Sequence, residues 1–202
     1  MTTLTSLDQL RAYYGPAKTR SVQKQLAYLD PHCQHFIQRS PLLLLASSNQ
    51  AGWLDTSPRG GAPGFCKILD QQRLLIPDAP GNNRLDSLAN LLENPRLGLL
   101  FLLPGVDETL RVNGRASLDT RMEWRELCQD ERRLPKLVIC VEVEEAYIHC
   151  AKALMRAKLW DPGSQIERSS FPSMGEIMRD HIGEQEIQES QAQMLARYQQ
   201  EL

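Results

Sequence analysis

Six or more strand-like runs follow one another through residues 42–148, with only two short helical patterns, after residue 84 and over 122–128, among them. Parallel strands need a long crossover, usually a helix, between neighbours. The spacing here leaves no room for regular crossovers, so an antiparallel barrel with helical additions is expected. Residues 42–46 (Leu-Leu-Leu-Leu-Ala) have the length and composition of a buried strand. Residues 53–56 can turn back on it as a hairpin partner. Residues 65–69 and 73–76 read as strands joined by the turn Asp70-Gln71-Gln72, and residues 97–103 as a second buried strand. Residues 109–118 alternate around Leu110, Val112 and Ala116, with Gly114 marking a bulge or a close approach, and residues 137–148 are β-rich.

Helical patterns flank this core. Residues 4–38 form three short pieces broken at Gly15-Pro16 and Asp30-Pro31. Residues 122–128 and 151–160 are helix-like, and residues 173–202 make a Gln/Glu-rich helical tail. The stretch 57–64 (Ser-Pro-Arg-Gly-Gly-Ala-Pro-Gly) is expected to be irregular. The resulting division is a helical cover over 1–40, a barrel core over 41–162 and a tail over 163–202, within one structural domain. A net charge of -2 argues against a basic nucleic-acid-binding surface. The longest apolar runs, 41–46 and 97–103, are too short to span a bilayer, and no signal peptide is expected. Five scattered cysteines without a CxxC pair point to reduced thiols, a cytoplasmic location and no metal site.

The stretch 77–88 (Pro-Asp-Ala-Pro-Gly-Asn-Asn-Arg-Leu-Asp-Ser-Leu) carries the most chemistry. Leu85, Leu88, Leu91 and Leu92 recur at helical spacing, Asn82 or Asn83 is placed to cap that helix, and Asn94-Pro95 ends it. Arg84 would add a full charge to a helix N-terminus that already presents unpaired N–H groups and a positive dipole end. That combination suits a phosphate or carboxylate. The other reading is a capped helix with a solvated arginine. Asp55, Asp78, Asp86 and Glu108 read as caps and turn acceptors, His149 as structural, and no general base stands out.

Several blocks, in this order, carry a resemblance: Asp55-Thr56-Ser57-Pro58-Arg59-Gly60, Gly64-Phe65, Leu75-Ile76-Pro77-Asp78, Gly81-Asn82-Asn83-Arg84-Leu85-Asp86-Ser87-Leu88, then residues 94–101, residues 109–116 and His149-Cys150-Ala151-Lys152-Ala153-Leu154 with Leu159-Trp160. Together they resemble the pyridoxamine 5'-phosphate oxidase-like, FMN-binding split-barrel family over roughly residues 5–162. The resemblance implies a mainly β fold with helical additions: a six-stranded antiparallel split β-barrel, forming a homodimer with two FMN sites at the subunit interface. It assigns the FMN phosphate to Ser57, Arg59 and Lys67 on the strand side and to Asn82, Asn83, Arg84 and Ser87 at the helix start. It sets Thr109 and Arg111 on a strand that approaches the flavin from the partner subunit, and Lys152, Arg156 and Trp160 near the ring or the substrate. The tail 171–202 lacks the Arg/His pattern of pyridoxamine 5'-phosphate oxidases themselves, so the resemblance does not extend to vitamin B6 as substrate. The implied activity is an FMN-dependent oxidoreductase acting on a small molecule. A flavin carrier or sensor without turnover, or a barrel holding haem or a deazaflavin, stays open at this point.

Overall fold

The computed structural model describes residues 3–183, 185–186 and 189–201. The chain divides into two compact units, Met1–Arg156 and Ala157–Leu202. In the first, three helices, Leu7–Tyr14 (α1), Thr19–Gln23 (α2) and Pro31–Arg39 (α3), precede the strands. The strands are Leu42–Ser48 (β1), Leu54–Gly60 (β2), Lys67–Asp70 (β3), Arg73–Pro77 (β4), Arg96–Leu103 (β5), Val106–Asp119 (β6) and Val138–His149 (β7). Asp86–Glu93 (α4) lies between β4 and β5, and Met122–Leu127 (α5) between β6 and β7. Lys152–Ala157 (α6) follows β7.

All neighbouring strands pair antiparallel, in the order β2-β1-β5-β6-β7-β4-β3. Two expectations need correction. The sheet has seven strands rather than six, and among the described residues its pairing is an open series from β2 to β3 rather than a closed barrel. The added edge is β3, only four residues long and irregular at Ile68/Asp70, held by a tight hairpin to β4. Residues 57–60, expected to be irregular, instead continue β2 opposite β1. Pro58 is tolerated there because β2 is an edge strand and a proline's missing N–H breaks no inner ladder.

Strand alternation gives the sheet two unlike faces. One carries Leu43, Leu45, Leu97, Leu99, Phe101, Leu110, Val112, Ile139 and Val141 into a single core, closed by Phe36 and Ile37 of α3 and Leu88 and Leu91 of α4. α3 is well started: Asp30 accepts from the Cys33 N–H at 2.8 Å, and Pro31 needs no partner in the first turn. The preceding helices α1 and α2 bury no side chain, so α3 alone of the N-terminal helices contributes to the core. At the β4–β7 end the opposite face holds a smaller cluster of Leu75, Val138, Cys140 and Cys128, with Trp124 of α5 against it.

The second unit begins with two short 3-10 turns, Pro162–Ser164 and Arg168–Ser170. Helices Met174–Ile182 (α7) and Gln191–Glu201 (α8) follow. A reciprocal Ser173/Glu176 capping box starts α7, and Gly183 in the left-handed region ends it. Arg168 donates to the Phe171 carbonyl at 2.7 Å and to Gln191 Oε1 at 3.1 Å, tying the start of α8 to the segment before α7. Among the described residues no helix is long and apolar enough to cross a membrane.

Gly114 is where β6 slips register against β7, between Asn113 and Gly114. A Cβ there would overlap the Glu142 carbonyl oxygen of the neighbouring strand. Because backbone, not a flexible side chain, blocks the way, Gly114→Ala is expected to destabilise the protein by about 3 kcal/mol or more in chemical denaturation. An unchanged denaturation midpoint would contradict this close approach.

Candidate functional site

The site is built from the inner face of β2. Asp55, Ser57 and Arg59 alternate with the more exposed Leu54, Thr56 and Pro58, and lie opposite Ser47, Leu45 and Leu43 of β1, on the core side. Ser87, buried in the first turn of α4, donates its hydroxyl to Asp55 Oδ2 at 2.6 Å. The Ser57 hydroxyl donates to the same oxygen at 3.0 Å. A serine hydroxyl has one proton to give, so both protons are committed to Asp55. The carboxylate thereby fastens β2 to the start of α4.

Between β4 and α4 the chain makes a series of tight turns. Asn82 Oδ1 accepts from the Arg84 N–H at 3.1 Å, and Asn83 and Leu85 adopt left-handed backbone at φ 57° and 60°. The expected cap is corrected here: Leu85, not Asn82 or Asn83, holds the N-cap position, and it makes no side-chain cap hydrogen bond. The asparagine side chain closes its own local turn instead. Arg84 consequently stands before the helix rather than in its first turn. It is exposed and paired with Asp86 at 2.8 Å, while Asp86 supplies the negative charge that the helix N-terminus favours.

These turns, residues 57–60 of β2, Phe65 and residues 133–137 enclose a cavity of about 800 Å³, within the range of small-ligand sites. Of the residues expected to hold phosphate, Ser57, Arg59, Asn82, Asn83, Arg84 and Ser87 all line it. Arg133 and Lys136 line it too and were not foreseen; the only signal was the basic residues Arg132, Arg133 and Lys136 around Pro135. The lining thus sets four cations against two carboxylates, Asp78 and Asp86. Such a set of residues fits a phosphate monoester: arginines and asparagines line the cavity, and the surplus charge of the lining is positive. Ser57 and Ser87 support this set from behind through Asp55.

The remaining expected residues lie elsewhere. Lys67 does not line the cavity; its Nζ donates to the Gly64 carbonyl at 3.0 Å. Its neighbours are Cys66 and Cys128, whose thiols burial pushes up, that of Cys128 to about 11. Thr109 and Arg111 sit on the opposite face of the sheet from Arg59. The register runs from Arg111 through Leu100 and Leu44 to Pro58, so Arg111 shares a face with Pro58. There Arg111 donates to the Tyr147 hydroxyl at 2.9 Å, and Lys24 also lies over the Tyr147 ring. Lys152 and Arg156 are on exposed α6, and Trp160 belongs to the second unit.

Asp78 is half-buried at the end of β4, its N–H donating to the Leu137 carbonyl at 3.1 Å. Burial raises its carboxyl above the ordinary value, against the opposing pull of Arg59 and then Lys136. The folded state therefore holds this proton more tightly than the unfolded state. The carboxylate's contribution turns unfavourable as pH rises through the window from the ordinary value to the raised one, and the full penalty is present above it. Asp78→Asn is thus expected to raise the melting temperature at pH 7, with the gain shrinking as pH falls through the carboxylate range. A gain that grew toward low pH would contradict this environment.

A family model described as pyridoxamine 5'-phosphate oxidase matches residues 29–150. No curated protein matches the chain. Among solved structures it is similar to HupZ from Group A Streptococcus, at 17% identity over 59% of this chain and 92% of that one, with a TM-score of 0.48. It is also similar to an FMN-binding protein from Syntrophomonas wolfei subsp. wolfei, at 10% identity over 71% of this chain and 97% of that one, with a TM-score of 0.46. General Stress Protein 26 from Bacillus anthracis str. Sterne is a third, at 12% identity over 57% of this chain and 88% of that one, with a TM-score of 0.44. These structural likenesses are too distant to carry a function. The family model spans the β-sheet, the turns before α4 and the whole cavity lining, and the chain belongs to the pyridoxamine 5'-phosphate oxidase family.

Proposed function

We propose that the protein is an FMN-dependent oxidoreductase acting on a small molecule other than a B6 vitamer, in a homodimer whose two sites lie at the subunit interface. The observation that carries this reading is the cationic cavity between β2, the turns before α4 and residues 133–137. Family membership supplies its context. Arg59 and Arg84 would grip the cofactor phosphate, with the amides of Asn82 and Asn83 beside them. Arg84 can turn from Asp86 toward the ligand at small cost, because an exposed ion pair contributes little. Asp55, through Ser57 and Ser87, holds β2 and α4 at a fixed spacing, so the phosphate cradle is preorganised before binding. When bound, FMN supplies the redox chemistry, accepting hydride at its ring and passing electrons to an acceptor. The chain's part is to anchor, orient and shelter it.

The division of the candidate residues supports the dimer in this reading. Arg59 and Arg111 occupy opposite faces of one sheet, so one cofactor in one chain does not reach both. A second chain can bring its own Arg111 face to the cavity. That face also carries Leu42, Leu44, Leu100 and Leu102, all half-buried, an apolar row suited to a self-complementary contact. The split-barrel form implied by the resemblance is part of the same reading.

The test is the visible spectrum of the purified protein, followed by FMN titration. A released yellow flavin identified as FMN is expected, and Arg84→Ala should weaken FMN binding about tenfold or more without unfolding the protein. A colourless protein that takes up no added FMN would overturn the reading. Unchanged affinity in Arg84→Ala would remove Arg84 from the site.

A further inference from the structure

We infer that Lys136 completes, with Arg59, a binding site for a phosphate monoester, and that Asp78 in the same lining is a competitor built into that site. For the carrier of that phosphate, the inference rests on the flavin reading above. Lys136 comes from the connection between α5 and β7, outside the residues that the resemblance assigns to the cofactor. That connection is firmly held. Arg125 Nε donates to the Pro135 carbonyl at 2.7 Å, and the Leu137 carbonyl accepts from Asp78 N–H at 3.1 Å. Asp130 accepts from the backbone N–H groups of Arg132 and Arg133, each at 2.8 Å, and its carboxylate lies 3.6 Å from the Arg133 guanidinium. Lys136 therefore projects from a fixed base into the lining of the cavity.

The charges sort into local sets. Arg84 has Asp86, and Arg133 has Asp130. Arg59, Lys136 and Asp78 line the same cavity, and the Asp78 N–H to Leu137 carbonyl bond sets Asp78 next to the segment that carries Lys136. One carboxylate for these two cations leaves a positive surplus in the part of the lining supplied by β2 and the α5–β7 connection. A phosphate offers three acceptor oxygens and up to two charges, and would satisfy both cations better than one half-buried carboxylate does. Its negative charge would then lie beside Asp78, and like charges at close range oppose each other. Removing Lys136 should weaken phosphate binding, whereas neutralising Asp78 should strengthen it. These opposite signs separate a ligand site from general damage, which would weaken both variants.

The test compares FMN with riboflavin, which lacks the phosphate, by fluorescence titration of the full chain at pH 7.5. Lys136→Gln is expected to lose about tenfold in FMN affinity while riboflavin binding is unchanged, and Lys136→Arg to keep most of it. Asp78→Asn is expected to bind FMN several-fold more tightly. Equal FMN affinity in wild type and Lys136→Gln, equal losses for FMN and riboflavin, or weaker FMN binding by Asp78→Asn would each overturn the inference while leaving the flavin reading in place. If the wild type takes up no FMN, the flavin reading falls, and calorimetry with inorganic phosphate then judges the site alone. Phosphate bound by the wild type and lost in Lys136→Gln would support a phosphate site with another carrier. No phosphate binding by the wild type would overturn it.

Discussion

Side chains alternate across the ladder β2-β1-β5-β6, and this alternation decides which candidate residues can meet. Each step of the register, from Arg59 to Leu43 and from Pro58 through Leu44 and Leu100 to Arg111, keeps a residue on one face. The core takes one face, including the leucines of β1 and β5 and the helices α3 and α4. Along β2 the same face carries Asp55, Ser57 and Arg59 toward the cavity. The opposite face is left with Thr109, Arg111, Tyr147 and a row of half-buried leucines. In the proposed reading a site that uses both groups takes them from two chains, because the pleat puts them on opposite faces.

Within the cavity, Asp55 and Asp78 play different parts. Asp55 collects two hydroxyl protons and joins a strand to a helix start. Such a carboxylate spends its acceptor capacity on structure, which leaves the serines no proton for a ligand. Asp78 lines the cavity with cations from two elements, with burial opposing its charge. It offsets part of the positive charge of the lining, and under the inference above it is the carboxylate that a bound anion would have to face. Arg84 is the exposed member of the set, outside the helix and paired only at the surface, so it can reorient at low cost.

Much of this was legible in the sequence. The seven strand segments can be picked out from apolar runs and turns, because buried strands and Pro/Gly/Asn punctuation leave strong local patterns. Gly114 marked the bulge that the structure has. The count of six came from the resemblance and the barrel from the spacing of the runs, and the open seven-stranded sheet departs from both. The end of β2 was hidden by Pro58 and the glycines after it, since local propensity cannot register that an edge strand tolerates proline. The cap at Leu85 was hidden because a left-handed leucine is set by the turn around it, not by its own preference. Lys67 read as a phosphate ligand, yet a hydrogen bond to the nearby Gly64 carbonyl holds it away from the cavity. Lys136 lies far from Arg59 in sequence, and only the pairing of β4 with β7 brings its segment to the cavity. Long-range neighbours of this kind leave no local pattern.

The account's central claim is that one chain supplies the Arg84 side of the site and the other supplies Arg111. Subunit mixing tests it most directly. Arg84→Ala and Arg111→Ala proteins are exchanged at equal amounts, and FMN bound at a concentration limiting for either variant is measured. If the sites are shared, half the dimers are hybrids with one unmutated site of two, and the mixture should recover about a quarter of the wild-type FMN capacity. A mixture that binds no more FMN than the two variants kept apart would contradict the claim and return the site to a single chain.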